Sequence, residues 1–131
     1  MAGSITQTLD ERGGVGVITL TATADSGDGS FPDTVLEAKI SGKLLALETN
    51  PGVTAPTALY DIALDDAEGH DVLEGLGDNR SATDTEKVAV LLSSLHPPVA
   101  KSDVLTFKIT NSSVNSAIIV IKIYYEGSAE A

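Results

Sequence analysis

Apolar and polar residues alternate along this chain in short runs, broken by glycine, proline and asparagine, a rhythm of two that belongs to strands with one buried face. In the run Val15 to Asp25, Ile18, Leu20, Ala22 and Ala24 fall on one side, while Thr19, Thr21 and Thr23 fall on the other. Ser4 to Leu9 reads as a shorter strand or as a mobile arm, with Arg12-Gly13-Gly14 as the turn that follows. Ser26 to Asp33 predicts a loop with a strand after it, because its glycines permit positive φ and Pro32 steers Phe31 away from helix. Lys39 to Thr49 carries Leu45 and Leu47 on one face and Ile40, Leu44 and Ala46 on the other, so its inward side is ambiguous. Asn50-Pro51-Gly52 ends that strand.

Leu59 to Asp65 sets Tyr60, Ile62 and Leu64 against Asp61, Ala63 and Asp65; Asp66 to Gly69 then reads as a hairpin tip, with Asp71 to Glu74 as the return strand. Thr83 and Glu86 have the spacing of a helix capping box, which makes a short helix over 84–92 one reading; the alternation of Val88, Val90 and Leu92 favours a strand. His96-Pro97-Pro98 excludes helix after it. Val104 to Thr110 points Leu105, Phe107 and Ile109 inward, and the polar segment Asn111 to Ser116 predicts a hairpin into Ala117 to Tyr125. That last run has Ile119, Ile121 and Ile123 on one face and Ile118, Val120 and Tyr124 on the other, so it is central in a sheet or covered by a partner.

The pattern predicts an all-β fold, an antiparallel β-sandwich or jelly-roll-like barrel of about seven or eight strands, with no long amphipathic helix and no βαβ alternation. At 131 residues the chain fits one core. The expected organisation is an arm or short strand over 1–9, one β domain over 10–126 and a disordered tail over 127–131.

Charge narrows the partners. Eight Lys and Arg against nineteen Asp and Glu give a net charge of -11, which repels phosphate backbones and anionic lipid, so neither nucleic acid nor membrane is expected as a partner. There is no cysteine, hence no disulfide, thiol nucleophile or thiolate zinc site. The first residues lack the basic and apolar stretches of a secretory signal, and synthesis in the cytoplasm is expected.

Candidate chemistry is sparse. His70 and His96 stand in no metal-binding spacing, no Gly-x-Ser-x-Gly occurs, and Gly13-Gly14-Val15-Gly16 lacks the helix and lysine of a phosphate loop. Acidic residues gather from Asp61 to Glu86 and offer oxygens to a hard cation such as calcium, but without the spacing of an EF-hand. With aromatics at 4%, a sugar-binding platform is poorly supplied. No enzyme and no cofactor are expected.

Three segments carry a resemblance: Glu48 to Thr57; Tyr60 to Ile62 with Asp65 to Leu73; and Ile109 to Ser116 ahead of Ile119 to Tyr124. Together, from about Val17 onward, they resemble small structural proteins of tailed bacteriophages. The resemblance implies a capsid decoration (cement) protein: a β-rich domain, trimeric, on the outer surface of the virion, tying major capsid subunits together. A tail or head–tail connector component, and a calcium- or carbohydrate-binding module, are the alternatives. The expected contact residues are Ile5, Thr6 and Thr8 of the arm and Ile118, Val120 and Tyr124 of the last strand.

Overall fold

A computed structural model describes residues 3–37, 39–90 and 98–130. Among them are nine strands and no helix: β1 (Ser4–Arg12), β2 (Val15–Thr23), β3 (Thr34–Val35), β4 (Lys39–Pro51), β5 (Asp61–Asp65), β6 (Glu86–Ala89), β7 (Pro98–Asp103), β8 (Thr106–Thr110) and β9 (Ile118–Glu130). The larger sheet runs β1-β2-β9-β4-β6, with β7 pairing the first half of β4 on the side where β6 pairs the second half. The smaller sheet runs β3-β8-β5, and every pairing in both sheets is antiparallel. Inner faces of the two sheets share one apolar cluster, so the all-β sandwich expectation is met.

Sidedness follows the alternation. From the large sheet, Ile18, Leu20, Ala22, Ile119, Ile121 and Ile123 are buried; from the small sheet, Ile62, Leu64, Phe107 and Ile109 meet them. A bulge resolves the ambiguity in β4: Leu44 pairs with Tyr125 and Ala46 with Tyr124, leaving Leu45 as an extra residue. Ile40 and Leu44 point inward before the bulge, Leu47 and Thr49 after it, so both rows of apolar residues find the core in turn.

Several expectations change. Ser4 to Leu9 is part of a nine-residue strand paired to β2 along its whole length, closed by a two-residue turn in which Gly13 and Gly14 have φ of 59° and 81°. Asp71 to Glu74 is not a return strand: it makes one bridge, Asp65 to Asp71, and then turns, because the Asp71 carboxylate accepts the backbone N–H groups of Leu64, Leu73 and Gly75. Thr83 to Glu86 builds no helix; Glu86 accepts from Ser81 N at 2.7 Å and opens β6, while Leu91, Leu92 and His96 lie outside the described residues. Asn111 to Ser116 is not a hairpin but a crossing between sheets, since β8 pairs with β5 and β3 whereas β9 pairs with β2 and β4. Residues 127–130, expected as a tail, are the end of β9, paired with Lys39–Gly42; Ala131 lies outside the described residues.

One inward column ends in polar chemistry. Glu11, Gly16, Tyr125 and Leu44 stand side by side across four strands, and the Tyr125 ring occupies the space a Cβ on Gly16 would need. The buried Tyr125 hydroxyl thereby reaches Glu11 and donates to Oε1 at 2.6 Å. Burial, and then this carboxylate, push the Tyr125 phenol well above its ordinary value. A raised phenol pKa means that the fold holds a proton the unfolded chain releases near pH 10, so stability is intact below pH 10 and declines above it. Alkaline titration followed by circular dichroism should show that decline, and Tyr125→Phe should flatten it; an unchanged slope in the variant contradicts the assignment.

Candidate functional site

The outer face of the large sheet is the broadest surface presented by regular structure. Register places its side chains in columns across the strands: Thr6, Thr21, Val120 and Asn50; then Thr8, Thr19, Lys122, Glu48 and Lys87; then Asp10, Val17, Tyr124, Ala46 and Ala89. Threonine suits such a position because its branched carbon packs on the pleat while its hydroxyl stays wet.

Of the six residues expected at an interface, Thr6, Thr8, Ile118, Val120 and Tyr124 share this face. Ile5 does not. It pairs with Ala22, whose side chain is buried, so it points the other way and packs partly against the core. The two-sided apolar character of the last strand has its explanation in position, since β9 is flanked by β2 and β4. Ile118 is still 39% exposed on the outer face.

At the centre of the face, sequence reasoning named Tyr124 but missed Lys87 and Glu48 around it. Lys87 Nζ sits 4.1 Å from the centroid of the Tyr124 ring, and the Tyr124 hydroxyl donates to Glu48 Oε1 at 3.4 Å. Partial burial, then Glu48, push the Tyr124 phenol upward. Lys122 and Lys87 flank Glu48 on neighbouring strands, an alternation of sign that stabilises cross-strand neighbours. Lys122 between Ile121 and Ile123, and Lys87 before Val88, do signal outward positions; what the sequence does not show is that β9, β4 and β6 lie side by side.

Charge on this face runs against the rest of the chain. Arg12, Lys39, Lys43, Lys87 and Lys122 lie at outward strand positions, five of the eight basic residues, against four carboxylates at outward register positions, Asp10, Glu48, Glu126 and Glu130. The segment from Asp61 to Glu86 holds nine carboxylates and one cation, Arg80. Its acids serve the loop: Asp61 accepts from Asn79 N, Asp66 from Glu68 N and His70 N, and Asp65 pairs with Lys108 at 3.0 Å. Among the described residues no three acidic or histidine side chains converge as a metal would require. His70 is exposed beside Glu74 at 3.2 Å.

A second feature is the margin of the large sheet. Arg12 and Val15 flank a two-residue turn, so even-numbered residues of β1 exchange hydrogen bonds with β2, and the backbone groups of Ile5, Gln7 and Leu9 aim away from the sheet. No described strand pairs with β1 there. From Ser4 to Leu9 this margin carries no charge, no proline and no bulge. The Gln7 side chain turns inward, donating to Val35 O and accepting from Glu37 N.

No known family, curated protein or solved structure matches this chain.

Proposed function

We propose that this protein is a non-enzymatic structural component of a tailed-bacteriophage particle, a trimer that decorates the capsid and stabilises it by binding the major capsid protein. The observation that carries the reading is the open margin of β1. Natural sheets blunt a free edge with lysine, proline, bulges or brevity, and a long uncharged edge is a template for another strand. On a shell, an extended segment of the capsid protein is the strand to be added, with main-chain bonds supplying affinity and the flanking Thr6 and Thr8 supplying fit. The negative charge of the chain favours a cationic segment.

Leu9→Pro tests this directly. It deletes an N–H that faces away from β2 and leaves the β1–β2 hydrogen bonds in place. Mixed with shells assembled from the major capsid protein of the same particle, the wild-type chain should cosediment, and Leu9→Pro should bind at least about tenfold more weakly with an unchanged circular dichroism spectrum. Equal binding by the folded variant removes the edge from the account. No binding by the wild type removes the capsid.

A further inference from the structure

We infer that the outer face of the large sheet is the docking site for the acidic lobe of a second copy of this chain, in a head-to-tail contact centred on Tyr124, Lys87 and Lys122. The inference rests on the reading above only for the number of copies; the contact itself is argued from charge, shape and position.

Charge comes first. A chain with a net charge of -11 resists meeting itself anywhere its average surface is presented. At the centre of the large sheet's outer face that average is reversed, since two cations, Lys87 and Lys122, flank the single carboxylate Glu48. The complementary surface is on the same molecule. Loop 66–80 hangs on β5: Asp66 N donates to His70 O, Val72 N to Leu64 O and Ile62 N to Gly77 O. That loop therefore belongs to the smaller layer, and the outer face of the larger layer looks away from it. Negative potential concentrates there enough to act on its own members, since Asp78 is pushed above the ordinary carboxylate value by partial desolvation and by the charges of Asp61 and Asp71.

Shape agrees. Five strands at about 4.8 Å spacing and nine residues at about 3.3 Å rise give a face on the order of 700 Å², close to the roughly 800 Å² that each partner contributes to a stable interface. The central tyrosine is already held by Lys87 above its ring and Glu48 at its hydroxyl, so docking costs little side-chain freedom. Two patches on opposite layers make a heterologous contact, which closes into a ring when the rotation allows; a trimer is such a ring.

The face and lobe can be broken separately. Lys87→Glu/Lys122→Glu reverses the face, and Glu68→Lys/Glu74→Lys reverses the lobe at two exposed positions of loop 66–80. Light scattering coupled to gel filtration should find the wild type assembled at about 50 mM salt and dissociating as salt rises toward about 500 mM. Each variant alone should be monomeric, with self-association weakened at least about tenfold, and an equimolar mixture should associate again, because the native face of one variant meets the native lobe of the other and the two reversed patches also complement each other. Circular dichroism guards against misfolding as the cause: each monomeric variant should keep the wild-type β spectrum and melting temperature. Variants that assemble like the wild type, or a mixture that stays monomeric, overturn the inference. A wild-type monomer that binds shells sinks this contact and spares the capsid role; a salt-sensitive ring that ignores shells does the reverse.

Discussion

Gly42→Ala is expected to lower the melting temperature by about 10 °C or more, a large loss for the addition of one methyl group. Gly42 and Gly127 face each other across β4 and β9 with φ of 142° and 132°. A Cβ on Gly42 would meet Glu126 O and the Gly127 Cα, and a Cβ on Gly127 would meet Ser41 O and the Gly42 Cα. Backbone that only glycine adopts costs an L residue about 1–3 kcal/mol, and the collision with main chain adds to it because a strand cannot swing aside like a side chain. At about 3–5 °C per kcal/mol for a chain of this length, a combined cost of about 3 kcal/mol gives the stated shift. Gly127→Ala should match it, and the double variant should fall short of the sum because both residues share one contact. Thermal melts followed by circular dichroism check this; a shift below about 3 °C for either variant contradicts the close approach.

Phe107→Ala should cost about 3–5 kcal/mol, read as a drop of the denaturation midpoint in urea. Phe107 is fully buried on β8 and projects from the small sheet into the shared core, where nothing can reach in to fill the space. Tyr60→Phe, an equally buried position, should by contrast stay within about 1 kcal/mol of wild type. Among the described residues the buried Tyr60 hydroxyl and Thr49 Oγ1 have no hydrogen-bond partner of acceptable geometry, although Thr49 stands close enough to offset part of the rise that burial imposes on the Tyr60 phenol. Removing a hydroxyl that makes no good bond forfeits little, whereas removing a phenyl ring forfeits contacts on all sides. A large loss on Tyr60→Phe would mean that the pair is bonded after all.

Local structure was legible in the sequence where period two is uninterrupted. Ile18 to Ala24, Tyr60 to Leu64 and Leu105 to Ile109 each reach the core on the predicted side, because alternation is a property of the strand itself. Where a single residue breaks the count, reading fails. Leu45 bulges, and the two apolar rows of β4 that looked like two covered faces are one face before and after the shift. Polar segments are equally mute about destination. Asn111 to Ser116 looks like a hairpin turn, yet six residues also span the roughly 10 Å between stacked sheets, and the apolar periodicity on either side is identical in both cases. The same limit hid the outer face: Thr6, Thr21 and Val120 are visible singly as outward residues, but their column exists only once β1, β2 and β9 are known to be adjacent. Ile5 shows the same limit: an expected contact beside Thr6, it lies on the opposite side of β1, which only its pairing with Ala22 reveals.

The claim that the chain is a particle component acting by surface contact is tested most directly by an electron-density map of the intact particle that carries it. The account predicts two-layered β domains on the outside of the capsid at three-fold positions, each with β1 against the shell and its large sheet against the acidic lobe of the next copy. Particles that hold the chain within the tail, or inside the shell, would contradict it.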